Sequence, residues 1–218
     1  MTGILKFNNV EVFGSDGKVT AAGMPTGSLI QSKTSELTSS FEFIIGSNNN
    51  ASNNGTTDSD GTASTRADSS WGGIVDDLIV TLTKASSSSY FLITYNIYIS
   101  NSKMAGGYNS FINLYSSVDS YADPISRGDT ADDRKRVTGG FRMYTDGSSA
   151  FDDYNNVHLG GQTKYSPSIS SGTSVTIKPL VSSTYNLTVY LNRNSADGNN
   201  IHNPRYVSSM TVQEIEGT

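Results

Sequence analysis

The sequence predicts an all-β protein, an antiparallel, jelly-roll-like β-sandwich. Short segments of alternating polar and apolar residues recur along the chain and are separated by clusters of glycine, asparagine and serine, as in sandwiches built from many short strands. The 12 Tyr and 8 Phe favour strands, and the 21 Gly supply turns. Runs of helix-forming Ala, Leu, Glu and Lys are missing. At 218 residues the chain is long enough for one such domain with a buried core.

The N-terminal part predicts a small attachment segment over residues 1–27, followed by the sandwich domain over residues 28–218. Two brief strands, at residues 4–7 and 10–13, are too short to bury much apolar surface alone. We expect them to pack on a partner protein or on copies of the chain. The alternative is that they add edge strands to the main sheet.

Further strands are predicted throughout the sandwich domain. They lie at residues 28–33, 40–45, 77–83, 90–99, 110–115, 137–144, 156–159, 174–178, 185–193 and 207–215. Glycine-containing turns are predicted between several of them, including Gly139–Gly140, Gly160–Gly161, Ser171–Gly172 and Asp197–Gly198. Residues 46–70 are almost purely polar and predict a long surface loop or a locally disordered excursion.

The segment 90–99 is the strongest predicted strand. One face carries a continuous apolar row, while Leu92, Asn96 and Tyr98 lie on the other face. A strand apolar on nearly both faces should be covered twice, once by the opposing sheet and once by a neighbouring subunit. The row predicted as core or subunit interface is Phe91, Ile93, Tyr95, Ile97 and Ile99.

The charge of the chain argues against nucleic-acid binding. The formal net charge is −5, and the basic cluster 134–136 directly follows two aspartates. No segment is apolar for long enough to span a bilayer, and residues 1–9 lack the pattern of a cleaved leader. We therefore expect neither a nucleic-acid partner nor membrane insertion.

Few residues in the sequence offer catalytic chemistry. The chain has no cysteine, and its histidines, His158 and His202, lack further ligands at zinc spacing. No nucleophile elbow or phosphate-binding glycine loop occurs. The carboxylate pairs at 76–77, 132–133 and 152–153 are adjacent residues, which point to opposite faces of a strand, and are interpreted as solvated turns. The sequence thus predicts no catalytic residue, no cofactor and no metal.

Asp58 and Asp60 leave one metal question open. Followed by Gly61, they match part of a calcium-loop pattern, but its later glutamate is missing. Whether they bind calcium is not decided by the sequence.

Aromatic residues in polar surroundings are the candidates for surface recognition. Tyr and Trp with adaptable polar neighbours combine stacking area with hydrogen bonding, which suits contacts to sugars or proteins. The alternative is that such rings cap the ends of the sandwich or pack between subunits. The wider set includes Tyr144, Phe151 and Tyr206, and the candidates are Trp71, Tyr108, Tyr121, Tyr154 and Tyr165.

Three segments of the chain resemble the short fibre-like, virion-surface structural proteins of tailed bacteriophages, especially those of marine phages. The opening strand with residues 27–31 resembles their attachment piece and first sandwich strand. Residues 78–83 with 91–93 resemble their central hairpin, and residues 208–215 resemble their C-terminal strand.

This resemblance implies a trimeric jelly-roll head similar to tumour-necrosis-factor-like domains, with no catalytic residues. It implies a fibre, spike or capsid decoration assembled in the host cytoplasm and located on the virion. Its expected partners are two further copies of the chain, other virion proteins bound through the N-terminal segment, and a host-surface glycan contacted through loops. Two other functions stay open: a monomeric carbohydrate-binding, lectin-like module and a glycan-degrading enzyme.

Overall fold

The computed structural model describes residues 5–7, 10–13, 24–45, 73–102, 109–129, 137–142, 156–183, 187–201 and 203–217. These residues form strands with two short 3-10 turns, Asp76–Leu78 and Ser117–Asp119. The predicted all-β class is therefore confirmed. In chain order the strands are β1 (Leu5–Phe7), β2 (Val10–Phe13), β3 (Leu29–Leu37), β4 (Phe41–Ile45), β5 (Gly73–Ile74), β6 (Val80–Thr83), β7 (Tyr90–Asn101), β8 (Asn109–Ser116), β9 (Gly139–Arg142), β10 (Val157–Tyr165), β11 (Ser174–Ser183), β12 (Leu187–Leu191) and β13 (Ser208–Ile215).

The strands form two main antiparallel sheets, as in a β-sandwich. In the six-stranded sheet, β7 pairs with β10 along one edge, and along its other edge first with β13 and then with β12. Strands β3 and β4 continue the sheet beyond β13 and β12. In the five-stranded sheet, β11 lies between β5 and β6 on one side and β8 on the other, and β9 follows β8. Strands β1 and β2 pair with each other as a separate hairpin and do not extend either main sheet.

The core lies between the two sheets. Alternate residues of β7 are buried, and they meet buried residues of β8 and β11 from the opposing sheet. All five predicted core positions, Phe91, Ile93, Tyr95, Ile97 and Ile99, are at most 6% exposed. One chain buries this row by itself, so its burial does not require the second subunit that the sequence pattern suggested.

Strand β10 is longer than predicted, because Gly160 and Gly161 lie within it and do not form a turn. Gly161 is opposite Tyr95 on β7, and Gly160 is opposite Asn96. A Cβ on Gly161 would lie 2.6 Å from Cζ of Tyr95, so the tyrosine ring occupies the space of the missing side chain. Gly139–Gly140 likewise lies inside β9. Close packing of an aromatic ring, rather than chain reversal, explains Gly161.

Side chains of β3 close one side of the sandwich. Gln31 and Lys33 donate to the carbonyl oxygens of Thr83 and Thr81 at 2.7 and 3.1 Å. The hydroxyl of Ser35 donates to the carbonyl of Ile79 at 2.9 Å. These bonds satisfy carbonyl groups along the edge of β6 that faces away from β11, which limits edge-to-edge pairing with other chains.

A buried carboxylate connects the last strand to the turn between the two sheets. Glu214 on β13 is fully buried, and it accepts hydrogen bonds from the backbone N–H groups of Ala85 and Ser86 at 2.8 and 3.1 Å. The hydroxyl of Ser89 and the amide of Gln31 donate to the same carboxylate, each at 2.5 Å. The β6–β7 turn is thereby fixed to β13.

Lys84 is buried beside this carboxylate. Its ammonium group donates to three carbonyl oxygens, those of Ser87, Pro167 and Ile169, at 3.1 to 3.4 Å. Burial lowers the pKa of Lys84 below its ordinary value, and the negative charges of Glu214 and Glu216 oppose that shift. The lysine and the two glutamates therefore form one buried charge cluster, in which a single positive charge offsets part of the charge of two carboxylates.

We predict that Gly161→Ala destabilises the fold by about 1 to 3 kcal/mol, because the added methyl group collides with the ring of Tyr95. Gly160→Ala is the matched control. Its methyl group would lie 2.9 Å from Cε1 of the exposed His158 side chain and 3.4 Å from Oδ1 of Asn96, so a small shift of the imidazole ring accommodates it. Urea unfolding of both variants measures the difference, and equal stabilities would contradict the role assigned to Gly161.

We predict that Glu214→Gln lowers the free energy of unfolding by about 3 kcal/mol, since it replaces an acceptor by a donor among N–H groups and leaves Lys84 with less compensating charge. Glu36→Gln, an exposed change on the neighbouring strand, serves as the control. Chemical unfolding at neutral pH provides the measurement. A loss no larger than that of the control would show that the carboxylate is dispensable.

Candidate recognition face

The outer face of the six-stranded sheet carries aromatic and polar side chains. Tyr98 lies where the neighbour of β7 changes from β13 to β12. Neither strand therefore has a residue that pairs with Tyr98. Its N–H donates to the hydroxyl of Ser208 at 3.0 Å, and its carbonyl accepts from the N–H of Asn192 at 3.0 Å. The backbone of Tyr98 is therefore held in place although the strand partners diverge there.

Three rings stack side by side at this junction. Tyr98 lies between His158 on β10, with ring centroids 4.8 Å apart, and Tyr206 before β13, at 4.6 Å. We call Tyr206, Tyr98 and His158 the aromatic ladder. His158 is exposed and the two tyrosines are half-buried. Since the rings cover one another's faces, the ladder offers its ring edges and the His158 end for contact.

The loop between β12 and β13 positions Tyr206. Asn192 adopts a left-handed conformation at φ 59° and is fully buried. Its amide donates to the carbonyls of Leu37 and Ser39 at 2.6 and 2.9 Å, and its side-chain oxygen accepts from Ser208 at 2.6 Å. The N–H of Tyr206 then donates to the carbonyl of Asn192 at 3.1 Å. Asparagine tolerates this backbone conformation and satisfies the polar groups around it.

Polar side chains continue the outer face beyond the ladder. The side-chain oxygen of Asn96 lies 3.3 Å from Nε2 of His158. The amide of Gln162 donates to the hydroxyl of Thr94 at 3.1 Å, and the hydroxyls of Thr34 and Thr211 are 2.8 Å apart. These residues come from four adjacent strands in matching register. The face thus combines amide and hydroxyl groups with a fixed aromatic cluster.

The charges beside the ladder are paired. Arg193 lies over the ring of Tyr190 at 4.1 Å and forms ion pairs with Glu42 at 2.6 Å and Asp197 at 3.4 Å. Arg205 also pairs with Asp197. The loop supplies Arg193, Arg205 and Asp197, and β4 supplies Glu42, so that two positive and two negative charges balance each other near the candidate face.

The predicted recognition residues lie elsewhere or outside the described residues. Trp71, Tyr108 and Tyr154 lie outside the described residues, as do Asp58 and Asp60 and the whole loop 46–70. Tyr121 and Tyr165 are described, and both contact the turn that follows β8.

Tyr165 packs inward. Its ring lies against Phe91 with centroids 6.4 Å apart, and it is partly buried against the core. Burial raises the pKa of Tyr165, a side-chain hydrogen bond with Ser116 opposes this, and the charge of Asp119 adds to the rise. In this position the Tyr165 side chain packs against the core, as in the alternative in which such rings cap the end of the sandwich. Most of its ring is therefore inaccessible to a ligand.

Tyr121 is half-exposed on the side of the five-stranded sheet. It follows Ser120, and both adopt left-handed conformations at φ 63° and 60°. The ammonium group of Lys178 lies 4.3 Å from the ring centroid. Tyr121 is therefore remote in the fold from the aromatic ladder.

Among the described residues, acidic side chains lie together at Glu214 and Glu216, whose oxygens accept from backbone N–H and serine hydroxyl groups. Asp76 and Asp77 are both exposed in a 3-10 turn. No group of three or more His, Asp or Glu side chains suited to a metal ion is found in the described part of the chain. His158 contacts Asn96 and Tyr98, and His202 lies outside the described residues.

Sequence reasoning identified parts of the aromatic ladder without joining them. Tyr206 belonged to the wider set of aromatic residues, His158 was considered as a metal ligand, and Tyr98 was placed on the less apolar face of its strand. The missing information was the strand pairing that puts His158 opposite Tyr98. A period-2 pattern defines which face a residue occupies but not which strand lies beside it.

No family model and no curated protein matches the chain. Twelve chains of solved structures match it. One of them is described as "EclA C-terminal domain; sugar-binding protein", with 13% identity, a TM-score of 0.32, and an alignment that covers 79% of this chain and 78% of that chain. At such a TM-score the similarity carries no argument about function. Within the described residues, no helix has the length and apolar character needed to cross a membrane.

Proposed function

We propose that the chain is a non-enzymatic recognition domain that binds a surface glycan through the outer face of its six-stranded sheet. The observation that carries this proposal is the aromatic ladder of Tyr206, Tyr98 and His158 beside a row of amides and hydroxyls. Sugars present apolar C–H faces and many hydroxyl groups. The ring edges and the exposed His158 end of the ladder match the apolar faces, and the neighbouring amides match the hydroxyl groups.

The rigidity of the face supports this proposal. The rings are fixed by strand pairing and by the Asn192–Ser208 hydrogen bonds, so binding would cost little ordering of the protein. The nearby charges of Arg193, Glu42 and Asp197 are already paired with one another. A neutral ligand can therefore bind beside them without breaking an ion pair. A non-enzymatic role agrees with the engagement of Glu214 in the β6–β7 turn.

We predict that Tyr98→Ala weakens glycan binding about tenfold or more, because the central ring of the ladder is lost. The measurement is binding to an immobilised panel of neutral and acidic oligosaccharides, followed by titration with the best ligand. Tyr121→Ala, an aromatic residue away from this face, is the control. Thermal unfolding verifies that both variants are folded.

The alternatives give different results in the same experiment. If the wild-type protein binds no sugar of the panel, the proposal is wrong. If it binds none and Tyr98→Ala instead changes the mass of the particle in solution, the face is an interface between copies. New reducing ends after incubation with the panel would indicate a glycan-degrading enzyme.

We also propose, from the sequence resemblance, that the chain is a homotrimeric virion-surface protein of a tailed phage, attached through residues 1–27. Its supporting observation is that the resembling segments of the sandwich domain are adjacent in the fold. Strand β13 pairs with both β3 and β7, and side chains of β3 bond to β6. The glycan-binding face would then be displayed toward the host.

We expect a particle three times the mass of the 23.3 kDa chain by light scattering, and labelling of intact virions by an antibody to the chain. A stable monomer, or virions that remain unlabelled, would contradict the virion role without affecting the glycan proposal.

A further inference from the structure

The outer face extends well beyond the aromatic ladder. Along β7 the outward side chains alternate with the buried core row, and all of them are half-buried. The exposed outward side chains of β10 flank them on one side, and those of β3 lie beyond β13 on the other. The outward row of β7 consists of Tyr98, Asn96, Thr94, Leu92 and Tyr90.

A second aromatic residue lies at the far end of this row. Tyr90 is eight positions from Tyr98 on the same face, which corresponds to about 27 Å at roughly 3.4 Å per residue. The ammonium group of Lys164 lies 4.1 Å from the centroid of the Tyr90 ring. The row thus has an aromatic group at each end and polar groups between them.

The middle of the row offers hydrogen-bonding groups in successive steps. Asn96 is bonded to His158, and Thr94 accepts from Gln162. Leu92 follows, with Lys164 opposite it on β10 and Gln213 opposite it on β13. Amide, hydroxyl and apolar contacts therefore follow one another in one direction, parallel to β7.

The face carries little net charge. Among the described side chains of β3, β7, β10 and β13 on this face, the exposed charged ones are Lys164 and Glu36, which are opposite in sign. The arginines at the ladder end are paired with Glu42 and Asp197. An anionic ligand would meet no concentration of positive charge here.

We propose that this face binds an unbranched, neutral oligosaccharide that lies along β7 from the aromatic ladder to Tyr90. The inference rests on the proposed glycan-binding function and specifies its ligand class. A ligand of this length contacts several weak subsites at once, so its affinity rises with the number of sugar units until the row is covered. The ammonium group of Lys164, which lies over the Tyr90 ring, moves aside when the sugar stacks there.

The test uses unbranched glucans, mannans and galactans as neutral probes, and alginate and galacturonan fragments as acidic ones, each as a disaccharide and as a hexasaccharide. We expect a neutral hexasaccharide to bind at least tenfold more tightly than its disaccharide. Tyr90→Ala should weaken the hexasaccharide about tenfold and leave the disaccharide unchanged, whereas Tyr98→Ala should weaken both.

Two controls separate charge from stacking. Lys164→Gln should bind the neutral hexasaccharide at least as well as the wild type, and raising the salt concentration should change the affinity little. Thermal unfolding of Tyr90→Ala verifies its fold. If it does not fold, Tyr90→Leu, which keeps apolar bulk but removes the ring, gives the same comparison.

The outcomes distinguish this inference from the proposed function. If no probe binds, both are wrong. If the disaccharide and the hexasaccharide bind equally, if loss of the Tyr90 ring has no effect, or if acidic probes bind best and are released by salt, the extended neutral site is wrong and glycan binding itself stands.

Discussion

The buried carboxylate of Glu214 is the interaction on which the arrangement of the sheets depends. It accepts hydrogen bonds from backbone N–H groups of the β6–β7 turn, which connects one sheet to the other. Because Glu214 lies on β13, which pairs with both β3 and β7, one side chain fixes the last strand, the central strand and the turn together. Lys84 compensates its charge and holds the adjacent loop through carbonyl oxygens.

The candidate recognition face follows from that arrangement. Strand β7 has its apolar row in the core, so its outward row is necessarily presented on the surface. Where the neighbour of β7 changes from β13 to β12, the backbone N–H and carbonyl of Tyr98 have no partner in either strand ladder. The Ser208 hydroxyl and the Asn192 N–H bond to them there. The same hydrogen bonds bring Tyr206 beside Tyr98. A structural discontinuity in the sheet thereby creates the aromatic ladder.

The sequence pattern predicted most strands because alternation of apolar residues is a local property. It predicted the buried row of β7 fully, and nearly every strand of the two sheets at the right place. It failed at Gly160–Gly161, which lie within β10, and Gly161 is required there by the Tyr95 ring of the neighbouring strand. It also missed the two-residue strand β5, which exists only through pairing with β11. Both depend on contacts between residues far apart in the chain.

The sequence by itself determined the all-β class and the buried row of β7, because composition and a two-residue period express these directly. The tertiary structure decided which strands are neighbours, and hence that His158, Tyr98 and Tyr206 stack and that Glu214 meets the β6–β7 turn. It also decided that Tyr165 packs inward. Strand order is set by the packing of the whole core, which no local pattern encodes.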